Sequence, residues 1–348
     1  MAEQLNQNLY ALLAKDPSRI YVVAEAGLNH AGSKERALAL VRAAKWAGAD
    51  AVKFQTFRAD RLASSRSANL GQTKNPPNVQ ERFKKFELTF DTFRALYKEA
   101  KRIGIEFLST PFDEESSDFL HDLGVNAFKI ASGDITHRPL IEHVSRKGKP
   151  VLLSTGMSTA EEIEKAIDWM HSQSNEQIVL LHCVSSYPAR AEELNLKSVQ
   201  FLRDRFGIPV GFSDHSLGSL GSIVATSLGA QVIERHFMIE TRGDSPDHAV
   251  SMDAKSFKVH IEELRTIGSL LGKRGKFASD AETRNKTASR RALYANRSIA
   301  PGETIHASML HALRPAAGIS PEFMDSVIGK RARIRIEAGT PVQWESIR

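Results

Sequence analysis

Short apolar runs recur along the first 240 residues, each followed by polar residues and a stretch with helical spacing. They are Tyr21–Glu25, Ala51–Gln55, Ile105–Ser109, Ala127–Ile130, Pro150–Ser154, Ile178–His182, Ile208–Phe212 and Gln231–His236. Runs of this length, parted by helix-length segments, read as eight βα units. The intervening helices are legible as well. Ser33–Trp46 sets Ala37, Leu40, Val41 and Ala44 on one face, and Thr159-Ala160-Glu161-Glu162 is a capping box ahead of Ile163, Ala166, Ile167 and Met170. Gly48, Gly104, Gly124, Gly148, Gly207 and Gly229 stand between helix and strand, where terminating glycines belong. Eight units in about 240 residues predict an α/β fold, a (β/α)8 TIM barrel. An open doubly wound sheet usually has fewer strands and offers no site at every strand end.

Three stretches depart from this rhythm. Residues 1–19 form an N-terminal extension ahead of a barrel spanning 20–271. Asp60–Leu88, rich in Ser, Asn and Lys with Pro76-Pro77 inside it, is long for a βα loop and reads as a lid or binding loop. Residues 272–289 have few large apolar side chains and read as a linker. Beyond them, 290–348 hold short β-like pieces such as Ala292-Leu293-Tyr294 and turns at Pro301-Gly302 and Ala338-Gly339-Thr340-Pro341, the pattern of a small β-rich domain.

The strand ends carry the chemistry. Side chains alternate faces along a strand, so Lys53 and Gln55 point together, as do Glu234 and His236. In a barrel these positions face the carboxyl-terminal mouth, where active sites are built. The same argument collects Glu25, Thr110, Lys129, Ser132, Ser154, Ser213 and His215. Two lysines with several hydroxyls suit a phosphate and a carboxylate together. Imidazoles from adjacent strand ends, His215 and His236, suit an open divalent metal site. Glu25 and Glu234 are candidate ligands, acids or bases. Spacing alone suggests metal-assisted chemistry on a phosphorylated carboxylate and leaves the reaction open.

Composition narrows the setting. A hydrophobic fraction of 41% with 25% charged residues is globular, which excludes disordered and collagenous classes. One cysteine, Cys183, excludes an internal disulfide framework and suits a reducing compartment. Neither a signal peptide nor a membrane-length apolar window is visible, so a cytoplasmic protein is expected. The net charge of +6 gathers in Lys273-Arg274-Gly275-Lys276, Arg284–Arg291 and Lys330–Arg335. These runs read as solvated surface and not as a nucleic-acid footprint.

Nine motifs in order link these strand ends to a known family. They are Ala24-Glu25-Ala26-Gly27-Leu28-Asn29-His30, Asp50-Ala51-Val52-Lys53-Phe54-Gln55-Thr56-Phe57, Ser109-Thr110-Pro111-Phe112-Asp113, Phe128-Lys129-Ile130-Ala131-Ser132-Gly133-Asp134, Leu153-Ser154-Thr155-Gly156-Met157, His182-Cys183-Val184-Ser185-Ser186-Tyr187-Pro188, Gly211-Phe212-Ser213-Asp214-His215, Glu234-Arg235-His236-Phe237 and Pro246-Asp247-His248. Together they resemble the sialic acid synthase family of N-acetylneuraminate, legionaminate and pseudaminate synthases. Ala300-Pro301-Gly302-Glu303, Arg314-Pro315-Ala316-Ala317-Gly318-Ile319 and Ile328-Gly329-Lys330 resemble its C-terminal antifreeze-like (SAF) domain.

The resemblance implies condensation of phosphoenolpyruvate with the open-chain aldehyde of an N-acetylated hexosamine, with C–O cleavage and phosphate release. It implies a divalent ion at His215 and His236, manganese foremost, with magnesium or cobalt as alternatives. Lys53, Thr110, Lys129, Ser132, Ser154, Ser185 and Ser213 match phosphoenolpyruvate-binding positions. Gln55, Asp134, Tyr187, Asp247 and Arg314 match sugar-side positions. Glu25 is expected to move a proton near the reacting carbons, and Glu234 to handle the water or the phosphate. Family members form domain-swapped homodimers, so Arg314 is expected to complete a partner's site. N-acetylmannosamine is the sugar favoured, which would make an N-acetylneuraminate synthase. The alternative is a 2,4-diacetamido-2,4,6-trideoxy hexose, because Asp134 replaces the glutamate general in neuraminate synthases. From another class, a non-catalytic carbohydrate-binding protein would need no such metal and phosphate set.

Overall fold

A computed structural model describes residues 8–16, 18–66, 78–239 and 245–348. The chain divides into two compact units, residues 1–272 and 273–348. In the first, eight parallel strands run β1 (Tyr21–Glu25), β2 (Ala51–Thr56), β3 (Glu106–Pro111), β4 (Phe128–Ile130), β5 (Val151–Ser154), β6 (Ile178–Cys183), β7 (Val210–Asp214) and β8 (Val232–Met238). Their order is β3-β2-β1-β8-β7-β6-β5-β4, so β1 joins β8 and the sheet curls into a nearly closed barrel. A two-residue strand, β9 (Met252–Asp253), pairs in parallel with Phe237 and Met238 at the end of β8.

Alternation along each strand makes two cores. Outward residues such as Val22, Val52, Phe107, Phe128 and Ile233 pack beneath the surrounding helices. Inward residues Tyr21, Val23, Leu108, Leu152, Val179 and Val232 fill the lower barrel. Leu9 and Leu13 join this inner cluster from the helix Leu9–Lys15, whose N-cap Asn8 accepts a hydrogen bond from the Ala11 amide. The described part of the N-terminal extension therefore contributes to the floor of the barrel. Above that apolar layer the inward positions turn polar, as the i, i+2 pattern predicts.

The second unit holds one antiparallel pair, β10 (Ala292–Ala295) with β11 (Leu310–Leu313). Its core gathers Leu293, Ile299, Ile305, Met309, Val327 and Val342 from mostly irregular chain. The stretch read as a linker contains a ten-residue helix, Asp280–Ser289, started by a capping box between Ser279 and Glu282. Every residue of that helix is exposed, so no apolar stripe marks it in the sequence. Among the described residues no helix is long and apolar enough to cross a membrane.

Candidate active site

Four buried charges occupy the upper barrel. Lys53 Nζ stands 2.8 Å from Glu25 Oε2 and 3.6 Å from Glu234 Oε2, while Lys129 Nζ is 3.8 Å from Glu234 Oε1. Lys53 also donates to Thr110 Oγ1 at 3.1 Å, Ser213 Oγ to Glu234 Oε1 at 3.0 Å, and Gln55 Nε2 to Glu25 Oε1 at 2.9 Å. All four charged side chains are buried, and isolated charges there would be costly. Two cations against two anions make the set tolerable. Burial opposes ionisation of Glu234, yet the Lys129 and Lys53 charges outweigh it and hold the carboxyl at about 2. The carboxylates likewise outweigh burial at Lys53 and raise it, whereas burial dominates at Lys129 and lowers it. Ser154 Oγ and Glu234 Oε2 are buried with no hydrogen-bond partner among the described residues.

The two imidazoles stand beside this cluster with ring centroids 5.4 Å apart. His215 Nδ1 lies 2.8 Å from the Val184 carbonyl, which fixes the proton on Nδ1 and leaves Nε2 as a lone-pair donor. His236 Nδ1 is buried without a hydrogen-bond partner and lies 3.6 Å from Asp247 Oδ2. Asp247 is itself held by the Leu28 amide at 2.7 Å. Gly27 makes that approach feasible. Its φ is +48°, and a Cβ there would come within 2.3 Å of Asp247 Oδ2. Among the described residues no three His, Cys, Asp or Glu side chains are grouped to hold a metal. Two neighbouring imidazoles, one with its tautomer fixed, would suit a divalent ion with open coordination positions.

A cavity of about 660 Å³ opens over these groups. Glu25, Lys53, Gln55, Thr110, Lys129, Ser132, Ser154, Ser185, Tyr187, Ser213, His215, Glu234, His236 and Asp247 all line it. Ser132 Oγ accepts from the Gly156 amide at 3.0 Å, and the Tyr187 ring lies 4.2 Å from that of His215. Asp134, in the short 3-10 helix Ser132–Asp134, is not among the residues lining the cavity, and burial pushes its carboxyl up to about 6. Arg314 belongs to the second unit, where it is exposed and has no ion-pair partner among the described residues.

The cavity also has a wall that strand-end reasoning missed. Leu28, Leu62, Phe83, Phe86 and Phe112 line it and pack with Phe57 in one apolar cluster. Val79 and Arg82 line it too, from the helix Val79–Lys84 in the long loop after β2. The spacing Val79, Phe83, Phe86 is the helical signal that would have found this wall. Pro76 and Pro77 of the same loop lie outside the described residues. A second cavity, about 520 Å³, sits at the opposite end of the barrel. Its Asp50 pairs with Arg265, its Glu106 accepts from Asn126, and its Lys45 donates to the Gly104 carbonyl, so these charges are engaged within the protein.

Known proteins are similar to this chain in sequence and in fold. An N,N'-diacetyllegionaminic acid synthase of Legionella pneumophila is 40% identical over 335 residues, covering 94% of each chain. A protein of the same name from Campylobacter jejuni is 38% identical, over 89% of this chain and 95% of its own. The crystal structure of N-acetylneuraminic acid (sialic acid) synthetase from Leptospira borgpetersenii superposes with a TM-score of 0.70 at 31% identity, over 77% of this chain and 90% of that one. Barrel, charged mouth and relatives together define a phosphoenolpyruvate-condensing sugar synthase acting on an amino sugar. Within that class the chain belongs to the NeuB family, whose model matches residues 40–276, and a SAF domain matches 290–348.

Proposed function

We propose that the chain condenses phosphoenolpyruvate with an open-chain 2,4-diacetamido-2,4,6-trideoxy hexose, giving a legionaminic-acid-type 2-keto acid. The observation that carries this reading is the apolar wall of Leu28, Leu62, Phe83, Phe86 and Phe112 facing the charged barrel mouth. A C6 methyl or an acetamido methyl buried there gains roughly 0.8 kcal/mol per carbon. A hydroxyl left unpaired against the same wall costs about 1–3 kcal/mol. N-acetylmannosamine, favoured by the sequence, carries hydroxyls at C4 and C6 and suits such a wall less well. The two diacetyllegionaminic acid synthases among the relatives support the same choice.

In the reaction, C3 of phosphoenolpyruvate bonds to the aldehyde carbon, water adds at C2, and the C2–O bond to phosphate breaks. One phosphate leaves for each keto acid formed. Lys53 and Lys129, with Thr110, Ser132, Ser154, Ser185 and Ser213, hold the phosphate and carboxylate. Glu25, aligned by Gln55 and paired with Lys53, relays to the former aldehyde oxygen the proton that the incoming water gives up. Glu234 stays ionised between two lysines, so it accepts a proton from the incoming water. His215 and His236 hold the divalent ion, manganese or magnesium, which when bound polarises a carbonyl as a Lewis acid. Gln55, Tyr187 and Asp247 face the sugar, and Arg314 reaches it from the partner subunit of a homodimer. Comparing kcat/KM for the two sugars with manganese present tests the reading. A preference of at least roughly tenfold for the diacetamido sugar is expected, and equal or reversed preference overturns it.

A further inference from the structure

We propose that Asp214 and Arg235 are positioning residues that set the separation of the His215 and His236 imidazoles. The proposal rests on the reading of those histidines as metal ligands. Strands β7 and β8 place Asp214 directly opposite Arg235. Both point to the outer face of the barrel, away from the cavity, and both are fully buried. The next residue in each case is the histidine that lines the cavity, His236 within β8 and His215 just past the end of β7. Adjacent strands lie about 4.8 Å apart, so two side chains level on one face meet at imidazole contact distance. The observed centroid separation of 5.4 Å is that arrangement.

Arg235 grips both sides of His215. One arm donates to Asp214 Oδ2 at 2.7 Å, and the other donates to the Ser216 carbonyl. Asp214 Oδ1 in turn accepts from the Ser216 amide at 2.8 Å and the Ser216 hydroxyl at 2.6 Å. Its Oδ2 accepts from Ser222 Oγ at 2.6 Å, tying in the helix Leu220–Ser227. Gly221 leaves room for this knot, since a Cβ there would stand 2.7 Å from Ser216 Oγ. Stability alone does not require such a pair, because apolar residues of similar volume commonly replace a buried ion pair without loss. What apolar residues cannot supply is direction. Bonds to the residues before and after His215 fix the strand end against β8, and with it the imidazole against His236.

The test is manganese affinity of the full chain, measured by the loss of the free-ion electron spin resonance signal, with circular dichroism and melting as controls. Asp214→Leu/Arg235→Met keeps the volume filled and removes the directional bonds. It is expected to fold as wild type and to bind manganese about tenfold or more weakly. Wild-type affinity in a natively folded double variant overturns the proposal. Should that variant not fold, Arg235→Lys keeps a cation for Asp214 and loses the second arm to Ser216. It is expected to weaken binding roughly threefold, and unchanged affinity in it is equally fatal. The control is His215→Ala, in which manganese binding should collapse. Undiminished binding there refutes the metal reading itself, and the proposal with it.

Discussion

Two buried charge clusters stand back to back on strands β7 and β8, and they differ in what they leave unsatisfied. On the outer face, Asp214 accepts from the Ser216 amide, two hydroxyls and Arg235, so both of its oxygens are engaged. On the inner face, Glu234 Oε2, Ser154 Oγ and His236 Nδ1 are buried and have no hydrogen-bond partner among the described residues. Unmet buried groups cost about 1–3 kcal/mol each, which a protein sustains where a ligand will meet them. Arg235 Nε is also buried without a hydrogen-bond partner, but Arg235 lies outside the cavity lining, whereas Glu234, Ser154 and His236 line it, so the outer cluster holds geometry and the inner one receives substrate. One register produces both.

The largest effect should come from breaking the inner cluster. Lys53→Met removes the cation shared by Glu25 and Glu234 and one arm of the anion site. Steady-state kinetics are expected to show kcat/KM for phosphoenolpyruvate lowered roughly a hundred- to a thousandfold. A loss under about threefold would remove the inner cluster from the chemistry. The same variant probes Arg314. If Arg314 acts across a dimer, mixing Lys53→Met with Arg314→Ala under subunit exchange restores one intact site in each mixed dimer. Random exchange makes half the dimers mixed, so recovery should approach about a quarter of the wild-type rate. No recovery after verified exchange would confine Arg314 to its own barrel or remove it from the site.

The two clusters were not equally legible in the sequence. The inner one follows from alternation alone: once Lys53, Lys129 and Glu234 are placed near strand ends, a period of two sends them inward. The outer pair is invisible without the register that sets Asp214 opposite Arg235, because nothing local in either run announces a partner 21 residues away. Asp134, matched to a sugar-side position by motif, is not among the residues lining the cavity, although its neighbour Gly133 is. Asp60–Leu88 reads as a binding loop from its length, but the apolar character of its wall escaped because the stretch looks polar on average, although Val79, Phe83 and Phe86 keep helical spacing. The helix Leu9–Lys15 escaped for want of length, yet its Leu9 and Leu13 complete the lower core.

A smaller effect should distinguish the outer cluster by pH. His260, on the helix Ala254–Leu271, lies within the electrostatic reach of Arg235 and Asp214. Burial, and then the Arg235 charge, lower its pKa from the usual 6.5 to about 4. The unfolded chain takes up a proton near 6.5, while the folded chain refuses it until about 4. Stability supplied by neutral His260 is therefore full above pH 6.5 and is lost as pH falls through that window. Urea unfolding of wild type and His260→Leu should show the wild type losing ground to the variant from pH 7 down to 4. A difference that stays constant with pH would mean that His260 titrates alike in both states.

The smallest effect should come at Cys183, a cavity-lining residue to which the proposed reaction assigns nothing. Its thiol is buried 3.8 Å from His215 Nδ1 and lines the cavity, which invites a nucleophilic role. Two facts argue against one. His215 Nδ1 is already committed to the Val184 carbonyl at 2.8 Å, so it is not free to take a proton from the thiol. The condensation also forms its bond between two substrate carbons and needs no enzyme-bound intermediate. Cysteine here is a small, polarisable filler between Ser132 and His215, beneath Gly156, where a Cβ would already come within 3.2 Å of the sulfur. Cys183→Ser keeps a side chain of the same shape and is expected to hold kcat within about threefold of wild type. Abolished turnover in a natively folded Cys183→Ser variant would place a covalent thiol step in the reaction, and the division between a substrate-binding inner face and a geometry-holding outer face would need a third function.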